Sequence, residues 1–251
     1  MMDLLPGPQD ALTVGAGRGD GGRLRPPLRR RLLRHGFTAF VLVSGTFVAL
    51  PWLAPILMHL GWQRPARVIY LVYSALCHQL PERSFFLFGS QASYSLAEIR
   101  AAWRDTLDPW ILRQFVGNAD MGFKVAWSDR MVSMYTSLPL AALAWRPLRR
   151  RIPALPVWGF VLLALPMAVD GITHALSDLA GLGQGFRDSN AWLLTLFGGN
   201  LPASFYAGDA LGSFNSWMRL LTGALFGLGV VWAVFPRLQA VLTPAGRDLE
   251  H

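Results

Sequence analysis

The residues with the clearest capacity for chemistry lie in the decapeptide CHQLPERSFF, which runs from Cys77 to Phe86. It contains the only cysteine of the chain, a histidine beside it, and an Arg-Ser pair after a Pro-Glu corner. The decapeptide directly follows an apolar run, residues 68–76. Polar side chains next to sequence of membrane-grade hydrophobicity are costly and usually functional, so this is the first candidate site. Its candidate residues are Cys77, His78, Gln79, Arg83 and Ser84.

Cys77 and His78 offer a thiolate and an imidazole, which are ligands that suit zinc or copper. Adjacent residues of an α-helix point about 100° apart, so the two side chains bind one ion only if the helix has ended there. In the alternative interpretation neither residue binds a metal: Cys77 packs as a small buried apolar side chain, and the His78 ring makes a structural hydrogen bond. Because the chain has a single cysteine, an intrachain disulfide and a Cys-x-x-Cys metal site are excluded.

A second candidate pair lies inside an apolar run, where Asp170 and His174 are four residues apart and share one helix face. A charge at the centre of a bilayer costs about 2.5–3.5 kcal/mol, so Asp170 is expected to face other helices and to be paired. The predicted partner is Arg83 or Arg187, and Arg130 is a third cation on the same side. Two roles stay open for this set: a structural ion-pair network, or a site for a proton, an ion or a metal.

The composition places these residues in an integral membrane protein. The chain has 251 residues, of which 53% are hydrophobic, and a formal net charge of +8. Almost all of the positive charge comes from arginine, because Lys124 is the only lysine. The arginines stand in short blocks beside apolar runs, which indicates the positive-inside pattern of membrane proteins rather than a nucleic-acid surface. The predicted fold class is all-α, a polytopic helical bundle in the membrane.

Four apolar runs approach the length of about 20 residues that a membrane-spanning helix needs. They cover about residues 37–60, 131–145, 155–176 and 217–235, within a membrane domain of residues 32–240. Residues 1–31 are predicted to be a disordered basic tail, and residues 241–251 a short polar tail. Arginine clusters near residue 30 and at residues 146–151 should be cytoplasmic, which puts both termini on the cytoplasmic side of the cell membrane.

The segment between the first two spans must begin and end on the outer side. Its one apolar run has about half the length of a span, which favours a re-entrant or interfacial helical hairpin at residues 68–88. Residues 89–124 have apolar side chains at near-helical spacing and are predicted to form amphipathic helices on the membrane surface. A small soluble cap between the spans is the alternative.

Two local patterns concern the last part of the chain. The sequence NAWLLTLFG from Asn190 resembles NSWMRLLTGALFG from Asn215, which indicates either a second re-entrant piece or a chance likeness of apolar sequence. Gly223, Gly227 and Gly229 form a face of the last span that suits close packing against another helix.

Five motifs occur in one order along the chain: CHQxPERSFF, GFxVAWxxRxxxxY from Gly122, DGxT from Asp170, RDSN from Arg187 and RLLTGALFG from Arg219. Together they resemble a prokaryotic family of predicted membrane proteins, domain of unknown function 2085, over roughly residues 64–236. The resemblance implies a polytopic membrane protein with no established activity.

The chain departs from the family pattern in two places. Many members have a Cys-x-Arg-Cys motif at the position where this chain has Ser128 and Met131, while Arg130 and Tyr135 are kept. A thiolate centre built from three cysteines is therefore not available here. Residues 198–214 look like an insertion between the last two motifs.

These observations leave two functions open. The leading hypothesis is a non-enzymatic partner or structural subunit of a membrane complex, whose partner is another membrane protein or a second copy of the chain. The alternative is an outer-face metal- or proton-coupled site for redox chemistry or transport, built around Cys77 and His78 with Asp170 and His174. No familiar catalytic motif is evident, the sequence requires no cofactor, and it indicates no nucleic-acid partner.

Overall fold

The computed structural model describes residues 26–242, and long helices dominate it. In chain order the helices are α1 (Pro26–His59), α2 (Gln63–Ser74), α3 (Leu96–Ala102), α4 (Pro109–Leu112), α5 (Asp129–Leu148), α6 (Val157–Asp178), α7 (Phe186–Ser189), α8 (Ala191–Phe197), α9 (Ala203–Tyr206) and α10 (Phe214–Leu242). The strands are β1 (Ser84–Leu87), β2 (Gly117–Asn118) and β3 (Gly122–Ser128), and a 3-10 turn covers Pro81–Arg83.

Three helices in the described part of the chain, α1, α6 and α10, are long and apolar enough to cross a membrane. The prediction of a helical membrane protein is confirmed at this level. The predicted second span is also a helix, α5, with 20 residues. However, α5 has Asp129 in its first turn and Arg146 in its last, which lowers its mean hydropathy relative to the other three.

Two of the predicted boundaries need correction. Helix α1 begins at Pro26, so residues 26–31 are helical although the predicted disordered tail included them. A proline in the first turn removes no hydrogen bond, and arginine and leucine after it favour the helix. Helix α10 continues to Leu242, through Pro236 and beyond the predicted end near residue 235. The rest of both predicted tails, residues 1–25 and 243–251, lies outside the described residues.

The last helix packs closely on its neighbours through its glycine face, as predicted. A Cβ on Gly227 would lie 1.8 Å from Ser137 Oγ and 2.7 Å from the carbonyl oxygen of Met134, both on α5. Gly223 faces the same helix, and Gly229 faces Leu163 on α6. Helix α5 therefore lies directly against the backbone of α10, and it also contacts α1.

A three-stranded antiparallel sheet contradicts the prediction that the fold is all-α. Its strand order is β1-β3-β2, and Ser84 pairs with Ser128 across the first two strands. The predicted amphipathic region of residues 89–124 ends inside β3, and the rest of this strand follows it. The β3 side chains Val125, Ala126 and Trp127 are fully buried, a burial that matches neither one helix face nor a half-exposed strand.

The segment between α1 and α5 forms a compact cap, which we define as residues 63–128. A core of its own holds it together, made of Leu80, Phe86, Tyr94, Ile99, Leu112, Phe115, Met121 and, from outside the cap, Leu182. The predicted surface helices of residues 89–124 are reduced to the short α3 and α4. The cap alternative therefore describes this segment better than helices spread on the membrane.

The predicted helical hairpin at residues 68–88 is wrong in its second half. Helix α2 buries Tyr70 and Tyr73 and leaves Val68 and Leu71 exposed, which agrees with an interfacial helix. After it the chain turns irregularly, enters the 3-10 turn and becomes β1. Proline at the start of that turn and the serine and phenylalanines after it favour a turn and a strand over a second helix.

Candidate functional site

Gln79 joins the end of α2 to the sheet. Its Nε2 donates hydrogen bonds to the carbonyl oxygens of Tyr70 (2.9 Å) and Ala126 (3.0 Å). The side chain is buried, and the backbone is left-handed with φ of 53°. A residue other than glycine is held in that conformation only when its surroundings fix it. Together with Ser84, whose Oγ donates to the carbonyl oxygen of Leu80 (2.8 Å), it stabilises the turn of the decapeptide.

Cys77 and His78 contact different groups. The buried Cys77 Sγ accepts from the backbone N–H of Gln79 and of Ser128, both at 3.4 Å, and lies 3.5 Å from Ser128 Oγ. His78 is exposed, and its Nδ1 accepts from the N–H of Leu80 at 3.2 Å. Within residues 26–242 no group of three or more His, Cys, Asp or Glu side chains could hold a metal ion. A metal at Cys77 and His78 stays a prediction.

Lys124, the only lysine, was missed as a site residue, and it holds the decapeptide from the other side. It is fully buried in β3, and its Nζ donates to the carbonyl oxygens of Gln79 (2.7 Å) and Arg113 (2.8 Å). Burial lowers the pKa of Lys124 to about 7. Burial likewise raises the pKa of Glu82, which lies in the same turn, to about 7. These two groups carry opposite charges and attract each other, so each partly offsets the cost of burying the other.

A charged cluster lies where α6 ends and where α5 and α10 begin. Four arginines and four aspartates pair within it, and one histidine lies between two of the carboxylates. We define the charged cluster by its members: Arg83, Arg130, Arg187, Arg219, Asp129, Asp170, Asp178, Asp209 and His174. Each of the five sequence motifs supplies at least one of these residues.

Asp170 is paired, as predicted, but with a different set of arginines. Its Oδ1 lies 2.7 Å from Arg187 Nη2, and its Oδ2 lies 2.6 Å from Arg130 Nη2. Arg187 was one of the two predicted partners, whereas Arg83 pairs elsewhere. A Cβ on Gly171 would lie 3.0 Å from Arg130 Nη1, so the glycine of the Asp-Gly pair leaves room for this guanidinium.

Arg83 is held by two carboxylates that the sequence did not point to. Its two terminal nitrogens donate to Asp178 at 2.8 and 2.7 Å in a bidentate pair, and its Nε donates to Asp209 Oδ2 at 2.7 Å. Burial favours a raised pKa for Asp209, but Arg83 and Arg219 outweigh it and hold the pKa well below the usual range. Asp209 lies in residues 198–214, so the apparent insertion supplies the carboxylate at the centre of the cluster.

Arg219 connects the beginning of α10 to the beginning of α5. Its Nε donates to Asp129 Oδ1 at 2.7 Å, and its Nη1 donates to Asp209 Oδ1 at 2.6 Å. His174 lies between Asp170 and Asp209, with Nδ1 3.4 Å from the first carboxylate and Nε2 3.5 Å from the second. The predicted pair Asp170 and His174 is therefore brought together with Arg130 and Arg187.

The two asparagines that begin the similar sequence patterns meet at Arg187. The Nδ2 groups of Asn190 and Asn215 donate to the carbonyl oxygen of Arg187, at 2.6 and 2.7 Å, and Arg187 Nε donates to Asn215 Oδ1 at 3.1 Å. The first pattern forms the short helix α8 and the second begins α10. Both patterns thus place an asparagine against the same arginine.

Two open spaces border the charged cluster. A cavity of about 210 Å³ has His78, Arg83, Arg130, His174, Asp178 and Arg219 in its wall. Asp170 also lines an apolar groove of about 560 Å³ between α6 and α10, whose other charged or hydroxyl-bearing residues are Thr173, Arg187 and Thr222. The two spaces share no lining residue.

One of the missed cluster residues carried a usable signal. Arg219 follows Trp217 in a span, and a guanidinium in apolar sequence calls for a buried partner for the same reason as Asp170 does. Asp178 and Asp209 stand in polar loop sequence, where an aspartate is ordinary. Nothing in their surroundings indicated that they would be paired.

Comparison with known proteins agrees with the motifs. No solved structure matches the chain. An uncharacterized protein of Methanocaldococcus jannaschii is 26% identical over 145 residues, which cover 55% of this chain and 69% of that protein. Residues 120–233, which hold four of the five motifs, match the family described as predicted membrane protein, domain of unknown function 2085, so the resemblance that the motifs carried is confirmed.

Proposed function

We propose that this chain is a non-enzymatic, four-span protein of the cell membrane that serves as a partner or structural subunit of a membrane complex. The observation that carries the proposal is the internal pairing of the charged cluster, in which each of the four arginines contacts a carboxylate. Buried charges that neutralise one another hold together the segments that bear them. Such a cluster supports a structural role better than a reactive one.

Helix α5 supports a fourth crossing. Its 20 residues correspond to a length of about 30 Å, which matches the hydrocarbon thickness of a bilayer. It packs against α1 and α10, so neighbouring helices cover part of its surface. With four crossings, the arginines of residues 149–151 and both termini lie on the cytoplasmic side. The cap and the charged cluster then lie on the outer side.

Helix α8 supports the partner role. It has seven residues, about 10 Å in length, and is too short to cross a bilayer. Its side chains Trp192, Leu196 and Phe197 are 45%, 68% and 46% exposed. Exposed apolar side chains on a segment that does not span the membrane favour contact with another membrane protein.

The test is purification from native membranes after cross-linking in intact cells. Mild detergent and mass spectrometry should give a stoichiometric membrane-protein partner or a defined oligomer of this chain. Leu196→Ser should weaken that association, whereas Leu42→Ser, on an exposed face of α1, should leave it unchanged. A monomer without a stoichiometric partner would contradict the proposal.

One observation keeps the metal- or proton-coupled alternative in view, because His174 lies between the carboxylates of Asp170 and Asp209. An imidazole in contact with two carboxylates is a group that can accept and release a proton. A stoichiometric metal in elemental analysis, or proton movement that is lost in His174→Gln, would favour this alternative over the structural role.

A further inference from the structure

The cavity beside the charged cluster has a wall that is rich in cationic groups. Its volume is about 210 Å³, and Arg83, Arg130 and Arg219 contribute guanidinium groups to its lining. Among the described residues that line it, Asp178 is the one carboxylate. Asp129, Asp170 and Asp209 contact these arginines but are not part of the wall. The described lining therefore holds three arginines and one aspartate, and that aspartate is paired with Arg83.

Arg130 has hydrogen-bonding capacity that the protein leaves unused. Its Nη2 donates to Asp170, but its Nε is buried and has no hydrogen-bond partner within residues 26–242. The Nη1 group makes no hydrogen bond with the described residues and lies beside Gly171, which lines the cavity, so it is the N–H group that a bound acceptor can reach. Gly171 opens the space beside the same guanidinium, because a Cβ there would lie 3.0 Å from Arg130 Nη1.

The cavity also borders the beginning of α5, where Ser128 precedes the first helical residue. The Ser128 side chain does not cap the helix and instead lies beside Cys77. The beginning of a helix carries partial positive charge and unpaired N–H groups, which add to the potential of the arginines. His78 lines the same cavity and has part of its surface exposed to solvent.

We propose that this cavity binds a small oxyanion, and specifically a phosphate group. Arg83 and Arg219 already donate to carboxylates and contribute positive charge, while Arg130 has a free N–H group for a charge-assisted hydrogen bond to a phosphate oxygen. The volume is smaller than the roughly 300–1,000 Å³ of sites for larger ligands, which suits a group of few atoms. The phosphate is either free in solution or part of a lipid headgroup, since both offer the same chemistry.

The experiment uses the full-length protein in a maltoside detergent, which contains no phosphate. Inorganic phosphate is titrated against sodium chloride at equal ionic strength, and the melting temperature is recorded. In a second arm, phosphatidic acid at low mole fraction replaces inorganic phosphate. A saturable rise with inorganic phosphate assigns the site to the free anion, and a rise with the lipid alone assigns it to a headgroup. A rise in neither arm overturns the proposal.

Variants show whether the effect belongs to this cavity. Arg130→Gln should weaken the apparent affinity at least about tenfold, as expected for the loss of charge-assisted hydrogen bonds. His78 lines the cavity and makes no ion pair with a carboxylate of the described residues, so the His78→Ala protein should fold even if Arg130→Gln does not. This second variant should also weaken phosphate binding. Arg100→Gln is the matched control, because Arg100 pairs with Asp105 on the surface, and it should bind as the wild type does. Unchanged affinity in both cavity variants would overturn the proposal.

Discussion

Asp209 is the residue on which the charged cluster depends most directly. One carboxylate contacts Arg83, from the cap, and Arg219, from α10. All three side chains are at most 6% exposed. Removing one partner of a buried ion pair leaves the other charge uncompensated and typically costs about 3–5 kcal/mol. We therefore expect Asp209→Asn to lower the free energy of unfolding by about that amount, measured by thermal or denaturant unfolding in detergent.

Asp105→Asn is the matched control for this substitution. Asp105 also pairs with an arginine, Arg100, but its side chain is 80% exposed. Exposed pairs contribute little because water and salt screen them, so the control should unfold much as the wild type does. If both variants lost the same free energy of unfolding, burial would add nothing to the stability of the ion pairs in the charged cluster.

The buried charges of Lys124 and Glu82 predict a specific dependence of stability on pH. Burial lowers the pKa of Lys124 from 10.5 to about 7. Between these values the unfolded chain binds a proton at Lys124 and the folded protein does not. The contribution of Lys124 to stability is therefore complete above pH 10.5 and is lost as the pH falls toward 7. Lys124→Met removes this titration, so the melting temperature of the variant should fall less than that of the wild type over this window.

Glu82→Gln is the complementary variant. The pKa of Glu82 is raised from 4.5 to about 7, so its contribution is complete below pH 4.5 and is lost as the pH rises through 7. The wild type should therefore lose stability relative to Glu82→Gln between these values. If the wild type and both variants give parallel pH profiles, these two side chains do not titrate as their burial requires.

At the scale of single residues, the sequence predicted the need for a pair more reliably than the identity of its partner. The rule that a charge in apolar sequence must be paired holds for Asp170. Of the two predicted partners, Arg187 contacts Asp170, whereas Arg83 is paired with Asp178 and Asp209. These two aspartates lie far along the chain from Arg83, one at the end of α6 and one in the loop before α10, and no local pattern connects either of them to it. Gln79 was selected as part of a motif, but its hydrogen bonds to α2 and β3 became visible only in the structure.

At the scale of helices, the contact between α5 and α10 depends on the absence of a side chain at Gly227. A Cβ there would lie 1.8 Å from Ser137 Oγ and 2.7 Å from a backbone oxygen of α5. Rotation of the serine relieves the first contact, but only separation of the helices relieves the second. We expect Gly227→Ala to lower the free energy of unfolding in detergent by about 1–3 kcal/mol, the usual cost of overpacking.

Gly45→Ala serves as the control for this prediction. A Cβ on Gly45, in α1, meets nothing within 4 Å. Alanine also favours a helix over glycine, so this variant should be as stable as the wild type or slightly more so. If the free energy of unfolding of Gly227→Ala equalled that of Gly45→Ala, α5 and α10 would be able to separate without loss of stability.

The helices and the sheet differ in how far the sequence could predict them. Long apolar runs with glycine at regular spacing identify helices from local sequence alone. Strand β3 has no such pattern, because its run of fully buried residues, from Val125 to Trp127, reflects contacts with two neighbouring strands and with α1, α2 and α5. Its partner β1 belongs to a distant segment, and strand formation depends on such partners more than on intrinsic preference.

At the scale of the whole molecule, the charge pattern predicts the orientation in the membrane. Reporter fusions should place both termini and residues 149–156 on the cytoplasmic side, and the cap, for example after Trp110, on the outer side. Trp110 is 69% exposed, so an insertion beside it should be tolerated. An outer C-terminus would contradict four crossings, and a cytoplasmic cap would contradict the arginine rule for this protein.

The bundle was predictable as a whole because hydropathy and arginine blocks act along the entire chain. A cap was one of two alternatives for residues 89–124, but its core was not predictable, since it is built from scattered residues such as Tyr94, Ile99 and Met121. Leu182, from the loop after α6, completes that core. A sequence without alignment gives no measure of such distant contacts.

The burial of the only lysine has a practical consequence for anyone who handles this protein. A lysine-specific protease has a single site to cut, after Lys124, and that site lies inside β3 between two other strands. Reagents that acylate side-chain amines meet the same barrier, since Lys124 has no exposed surface. Cleavage or acylation at this residue therefore occurs only in molecules whose cap has opened. The rate of either reaction measures how often the cap opens while the membrane helices stay folded.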